Sequence, residues 1–131
     1  MNEPVSFDYL TADDLLEIAA AIIGDVRLRD RGLLASAAAR PQITVFGSDA
    51  YPELVDKAAA LMHSIGRNHP LVDGNKRLAW SATRAFLLLN GHDVSHAVDD
   101  AESLVAGVAT GTFDVPAVAS WISDRLVESP G

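Results

Sequence analysis

The chain has 131 residues, 49% of them hydrophobic, which is enough for one domain with a buried core and argues against a disordered chain. It has no cysteine, so disulfides and thiolate metal sites are excluded, and a reducing, cytoplasmic setting is expected. The net charge of −8 argues against a general nucleic-acid binder, which would be basic.

No basic segment followed by an apolar run opens the chain, so no secretory signal is expected. No apolar run approaches the length that spans a bilayer. Residues 1 to 9 hold a proline and a short apolar alternation, read as one strand or an extended arm. Thr11 caps a first helix whose Asp13 and Asp14 suit the positive end of its dipole. Leu15, Ile18, Ala19 and Ile22 share a face, and Gly24 ends the run. A second helix is expected from Asp30 to Arg40, with Leu33, Leu34, Ala37 and Ala38 inward and Pro41 as its stop.

From Pro41 to Pro52 the character changes. Ile43 to Phe46 is β-prone and Gly47 marks a turn, so the segment reads as a loop or a β-hairpin flap near the site. Such a flap could dock a peptide by adding a strand to its edge. The alternative is a plain connector packed by Phe46. Ser48 or Asp49 then caps a third helix reaching Gly66, with Leu54, Ala58, Leu61, Met62 and Ile65 as its apolar stripe. His63 lies off that stripe and reads as a solvated surface histidine.

The run from His69 to Gly91, HPLVDGNKRLAWSATRAFLLLNG, is the most informative stretch. Its first nine residues hold a histidine, a carboxylate, a glycine and two cations at tight spacing; the rest is apolar almost all round, as in a buried helix. Asn90-Gly91 ends that helix by a left-handed cap. Two further helices follow. One starts at Asp99-Asp100, carries Leu104, Val105 and Val108, and closes at Gly111. The last is capped by Asp114, has Pro116 in its first turn, and buries Val118, Trp121, Ile122 and Leu126. His92 and His96 fall in the loop between, without partners at metal-ligand spacing, and read as structural or solvated. The expected fold is all-α: one compact helical bundle, residues 1 to 131, around the helix of residues 74–90.

A glycine-containing loop that runs into a helix presents free N–H groups and the positive dipole end to an anion. Lys76 and Arg77 oppose that dipole, a cost that a bound polyanion reverses. Between Lys57 and His92 lie five of the ten cations (Lys57, Arg67, Lys76, Arg77, Arg84) but one of the eighteen acids, Asp73. A locally positive site in an acidic protein suits a small polyanion such as a nucleotide. Against this stands the plainer reading that most of these cations are solvated. His69 precedes Pro70, which turns it from helical geometry towards an extended loop. An imidazole is the side chain best suited to general-base chemistry at physiological pH. Asp73 suits one ligand of Mg²⁺ beside phosphate oxygens. Gly74 lets phosphates approach the backbone, Asn75 orients the loop or a phosphate, and Lys76 and Arg77 neutralise charge. These parts suit phosphoryl or nucleotidyl transfer.

HPLVDGNKR resembles the motif of the Fic/Doc family. Fic enzymes carry HPFx[DE]GNGR and Doc ("death on curing") toxins HxFx[DN][AG]NKR, so Lys76 makes this the Doc form. FLLLNG (Phe86 to Gly91) and VATGTFDVPAVA (Val108 to Ala119) extend the likeness over most of the chain. The resemblance implies an ATP-dependent protein kinase of a toxin–antitoxin system that phosphorylates a threonine of elongation factor Tu and halts translation. In that family the lysine reverses ATP, so the γ-phosphate is transferred instead of AMP. By residue, it implies His69 as general base, Asp73 as the Mg²⁺ carboxylate, and Gly74, Asn75, Lys76 and Arg77 as the phosphate cradle. Leu71 replaces the usual phenylalanine, Trp80 stands where Fic enzymes place a second arginine, and Ser81 where a Doc toxin has asparagine. Arg84, one turn on, is either a further cation or structural. The inhibitory motif [ST]xxxE[GN] of many Fic enzymes is absent from these residues. The resemblance therefore implies inhibition in trans, by a Phd-type antitoxin laid in a groove. Two other readings stand beside the kinase: AMP transfer by the same site, and a catalytically silent interaction module.

Overall fold

The computed structural model describes residues 6–130. Helix α1 (Ala12–Ile23) starts where Thr11 accepts the Asp14 N–H and the Asp14 carboxylate accepts the Thr11 N–H, a reciprocal box that satisfies two orphan donors. Asp30 caps α2 (Arg31–Ala39) through the Leu33 N–H, and Pro41 lies in a single tighter turn, Arg40–Gln42, that closes it. Helices α3 (Leu54–Asn68), α4 (Asn75–Leu89), α5 (Val98–Ala109) and α6 (Val115–Arg125) complete the set. Asp114 caps α6 through the Ala117 N–H, and Gly91, at φ 84°, supplies the expected left-handed residue after α4. The all-α expectation holds. No helix among the described residues is long and apolar enough to cross a membrane.

The N-terminal stretch divides the earlier alternatives. Residues 1–5 lie outside the described residues, and residues 6–10 form an arm without strand pairing. Asn90 holds that arm with two 2.9 Å bonds to the Asp8 backbone.

The centre of the bundle is a pair. Helix α4 packs against α1, α3 and α5, and α3 packs against α2, α4, α5 and α6. Alanines allow the close approach: Ala58, Ala59, Ala60, Ala79 and Ala82 are all buried. The stripe read for α3 holds except at Leu54, which is half-buried, but it understates the burial, since Lys57, Ser64 and Gly66 off that stripe are buried too. Conversely, Leu88 and Leu89 at the end of α4 are 43% and 47% exposed, so that helix is not enclosed all round. Phe86 is fully buried, a contribution of about 1.5–3 kcal/mol.

Two small sheets complete the fold. Strands β1 (Thr44–Val45) and β2 (Ser48–Asp49) pair antiparallel, joined by Phe46 (φ 52°) and Gly47 (φ 80°), the two positive φ values of a tight hairpin turn. Of the two readings for this segment, the hairpin flap is the one formed. Phe46 is fully exposed at its tip, which overturns the packed connector. Ser48 and Asp49 are therefore strand residues, not helix caps. Helix α3 begins five residues later, after Pro52, where Asp56 reaches back to the Glu53 N–H. Strands β3 (His92–Val94) and β4 (Leu126–Glu128) pair antiparallel, with Val94 opposite Leu126. His92 is thus a strand residue, and Leu126 belongs to β4, outside α6. Three-residue strands are too short to show a period of two.

Candidate active site

The site begins where α3 stops. His69 is the C-terminal cap of α3, with φ 52° and ψ 65°, its N–H donating to the Ile65 carbonyl. This corrects the extended geometry expected ahead of Pro70: proline excludes the right-handed helix, and His69 meets that exclusion in the left-handed region. Its imidazole is exposed and makes no hydrogen bond among the described residues.

The loop after it is held on two sides. The segment Arg27–Asp30 runs against residues 69–72. The Arg29 and Asp30 N–H groups donate to the Pro70 carbonyl, the Val72 N–H donates to the Arg27 carbonyl, and Leu28 pairs with Leu71 as an antiparallel bridge. Leu71 is fully buried, so it serves as the apolar anchor in place of phenylalanine. From the other side, the buried Asn75 amide donates to the Leu71 carbonyl and accepts the Leu71 N–H, both at 2.9 Å. Of its two expected roles, orienting the loop is the one its side chain performs.

Asp73 accepts the Gly74 N–H at 2.8 Å through Oδ1, and Oδ2 has no hydrogen bond among the described residues. Gly74 sits at φ 88°, where a β-carbon would collide with Ile23 Cδ1. Its lack of a side chain therefore serves the α1–α4 contact. No side chain caps α4, so the amides of its first turn stay free for an anion.

His69, Val72, Asp73, Gly74, Asn75, Lys76 and Arg77 line one pocket of about 330 Å³. All six residues predicted for the site are brought together there. Lys76 and Arg77 are exposed and form no ion pair among the described residues. The same two residues also line a larger pocket of about 560 Å³, with Trp80, Ser81, His96 and α5 residues including Val98, Ala101 and Val105. Trp80 meets His96 edge-on at 4.7 Å and Trp121 at 6.1 Å. Of its two readings, structural or solvated, His96 takes the first, as part of a cavity wall.

The other three cations of the positive stretch do not join the site. Lys57 is completely buried at the start of α3, donating to the Pro41 carbonyl and reaching Asp49 of the hairpin at 3.5 Å. Arg67 donates to the Ala109 carbonyl. Arg84 holds Asp93 with two bonds of 2.8 and 2.9 Å, and that guanidinium lowers the Asp93 pKa to about 2. Arg84 is structural. The hairpin is anchored at Lys57, about 18 Å along α3 from His69, and none of its residues lines the pocket of His69. His63 is half-buried, with Nδ1 2.9 Å from Arg40 Nη1. Burial first, then Arg40 and Arg67, push its pKa below the usual 6.5, against a smaller opposing effect of Asp114. That corrects its reading as a surface residue.

Asp73 is the one carboxylate in the smaller pocket, and no group of three potential ligands that could hold a metal ion occurs among the described residues. A lone carboxylate with one free oxygen fits Mg²⁺, which takes one or two carboxylates and fills its remaining positions with phosphate oxygens and water. Sequence reading missed the contact of Arg29 with the His69 carbonyl, of which a pair of arginines flanking Leu28 in a short loop was the only trace.

The profile of the Fic/DOC family matches residues 9–87. The protein named Toxin Doc from Mycolicibacterium smegmatis is 50% identical over 119 residues, an alignment covering 88% of this chain and 92% of that one.

Proposed function

As this chain belongs to the Fic/DOC family, we propose that it is a Doc-type toxin kinase that phosphorylates a threonine or serine hydroxyl of a translation factor. Members of the family transfer phosphate-bearing groups of nucleotides to proteins. The observation that carries the finer reading is the pair of pockets sharing Lys76 and Arg77. In the proposed arrangement ATP lies across the start of α4, with its base against Trp80 and His96 and its last phosphate towards His69. In this reading the target hydroxyl gives its proton to His69 as its oxygen bonds the γ-phosphorus. The bond to the β,γ-bridging oxygen breaks, and ADP leaves with that electron pair. The free amides of α4 with Lys76 and Arg77 balance the charge that moves onto ADP. Asp73 would hold Mg²⁺, which when bound draws the phosphate oxygens together and offsets their charge.

By likeness to the family's Doc branch, the target is elongation factor Tu, translation is arrested, and a Phd-type antitoxin neutralises the toxin through a helix laid in a groove. AMP transfer is less well supported, because Trp80, packed between His96 and Trp121, occupies the place of the second arginine of Fic enzymes. Incubation of the protein and elongation factor Tu with ATP labelled at either the γ- or the α-phosphate tests the proposal. Label from the γ position alone supports it, and label from the α position overturns it.

A further inference from the structure

Resting on the reading of His69 as the base, we propose that Arg29 is the residue that positions it. Arg29 lies in the loop between α1 and α2, forty residues before the histidine. Its Nε donates to the His69 carbonyl and its Nη2 to the Asn68 carbonyl, both at 2.6 Å. These are the last carbonyls of α3, at the negative end of the helix dipole, where a cation is favoured. Two bonds from one rigid guanidinium fix two successive peptide planes, which a lysine, as a single mobile charge, cannot do. Because His69 holds a positive φ and its imidazole has no hydrogen bond among the described residues, the ring's placement depends on the orientation of its backbone.

The role is separable from folding. Arg29 is exposed, and the strap it belongs to keeps three backbone hydrogen bonds to Pro70 and Val72 without its side chain. It is also separable from nucleotide binding. The loop is fixed by Asn75 on Leu71 and by Asp73 on Gly74, and the Arg29 side chain takes part in neither set of hydrogen bonds. Loss of Arg29 should therefore lower kcat and spare KM for ATP. A misplacement of the order of 1 Å costs up to about a hundredfold in rate.

The test compares wild type, Arg29→Ala and Arg29→Lys for group transfer to elongation factor Tu, with amide hydrogen exchange and thermal melts of each. Arg29→Ala is expected to lose about ten- to a hundredfold in kcat with KM for ATP unchanged. Arg29→Lys should fall between, and exchange should rise at His69 but not at Val72 or in the middle of α4. An unchanged kcat overturns the proposal, as does a loss matched by lower melting temperature and faster exchange throughout the bundle. If Arg29→Ala does not accumulate, Arg29→Lys carries the same comparison. Transfer of AMP by all three proteins would overturn the kinase reading while the kcat ratio still decides on Arg29. Exchange at His69 decides even where no transfer is seen.

Discussion

Both ends of the Asn75 side-chain amide are bonded to the backbone of Leu71, one as donor and one as acceptor, each at 2.9 Å and buried. The pair joins the first residue of α4 to the loop that follows His69. Asn75→Ala leaves the Leu71 N–H and carbonyl without partners, at about 1–3 kcal/mol for each buried group. Urea melts should show a loss in that range or above it, together with weaker ATP binding. An unchanged midpoint would contradict this role.

Gly74 and Ile23 are the second coupled pair. Gly74→Ala meets both a positive φ and the Ile23 side chain, for a cost of about 1–3 kcal/mol. Ile23→Val removes the Cδ1 methyl that the new β-carbon strikes, so in that background Gly74→Ala should cost less. The double-mutant cycle measures the difference. Equal costs in both backgrounds would show that the backbone angle alone demands glycine.

What the chain reveals before folding follows from how local each determinant is. Thr11, Asp30 and Asp114 cap their helices through bonds three residues away, so those ends are visible in sequence. The motif loop is visible because nine consecutive residues carry its chemistry. Its backbone is not. Arg29 reaches His69 across forty residues, and nothing in a short loop with two arginines marks that contact. Likewise, His63 lies off the apolar stripe of α3, yet in the folded chain it meets Arg40 and lines a pocket with the start of α6. The start of α3 moved because Gly47 returns the chain into a hairpin whose Asp49 reaches the buried Lys57.

The lowered pKa of His63 makes stability depend on pH. The folded state favours the neutral ring, whereas the unfolded chain takes up a proton near 6.5. Its contribution is complete above that value and falls as pH drops towards the folded-state pKa. Melts from about pH 8 to about pH 5 should show this loss, and His63→Gln should flatten that part of the curve. A curve of the same slope in the variant would assign the dependence to other groups.

His69→Ala removes an exposed side chain with no hydrogen bond among the described residues, so the melting temperature should hold within a degree or two of wild type, an effect on the order of 0.5 kcal/mol or less. The loss of a general base costs about 10²–10⁴-fold in rate, enough to relieve growth arrest in cells expressing the variant without an antitoxin. A stable variant that arrests growth as wild type does would remove His69 from the mechanism.

The most direct test of the account is mass spectrometry of elongation factor Tu after incubation with the protein, ATP and Mg²⁺. The proposed kinase reading predicts one added phosphate on a threonine or serine, absent with His69→Ala. An added AMP on that target would contradict it.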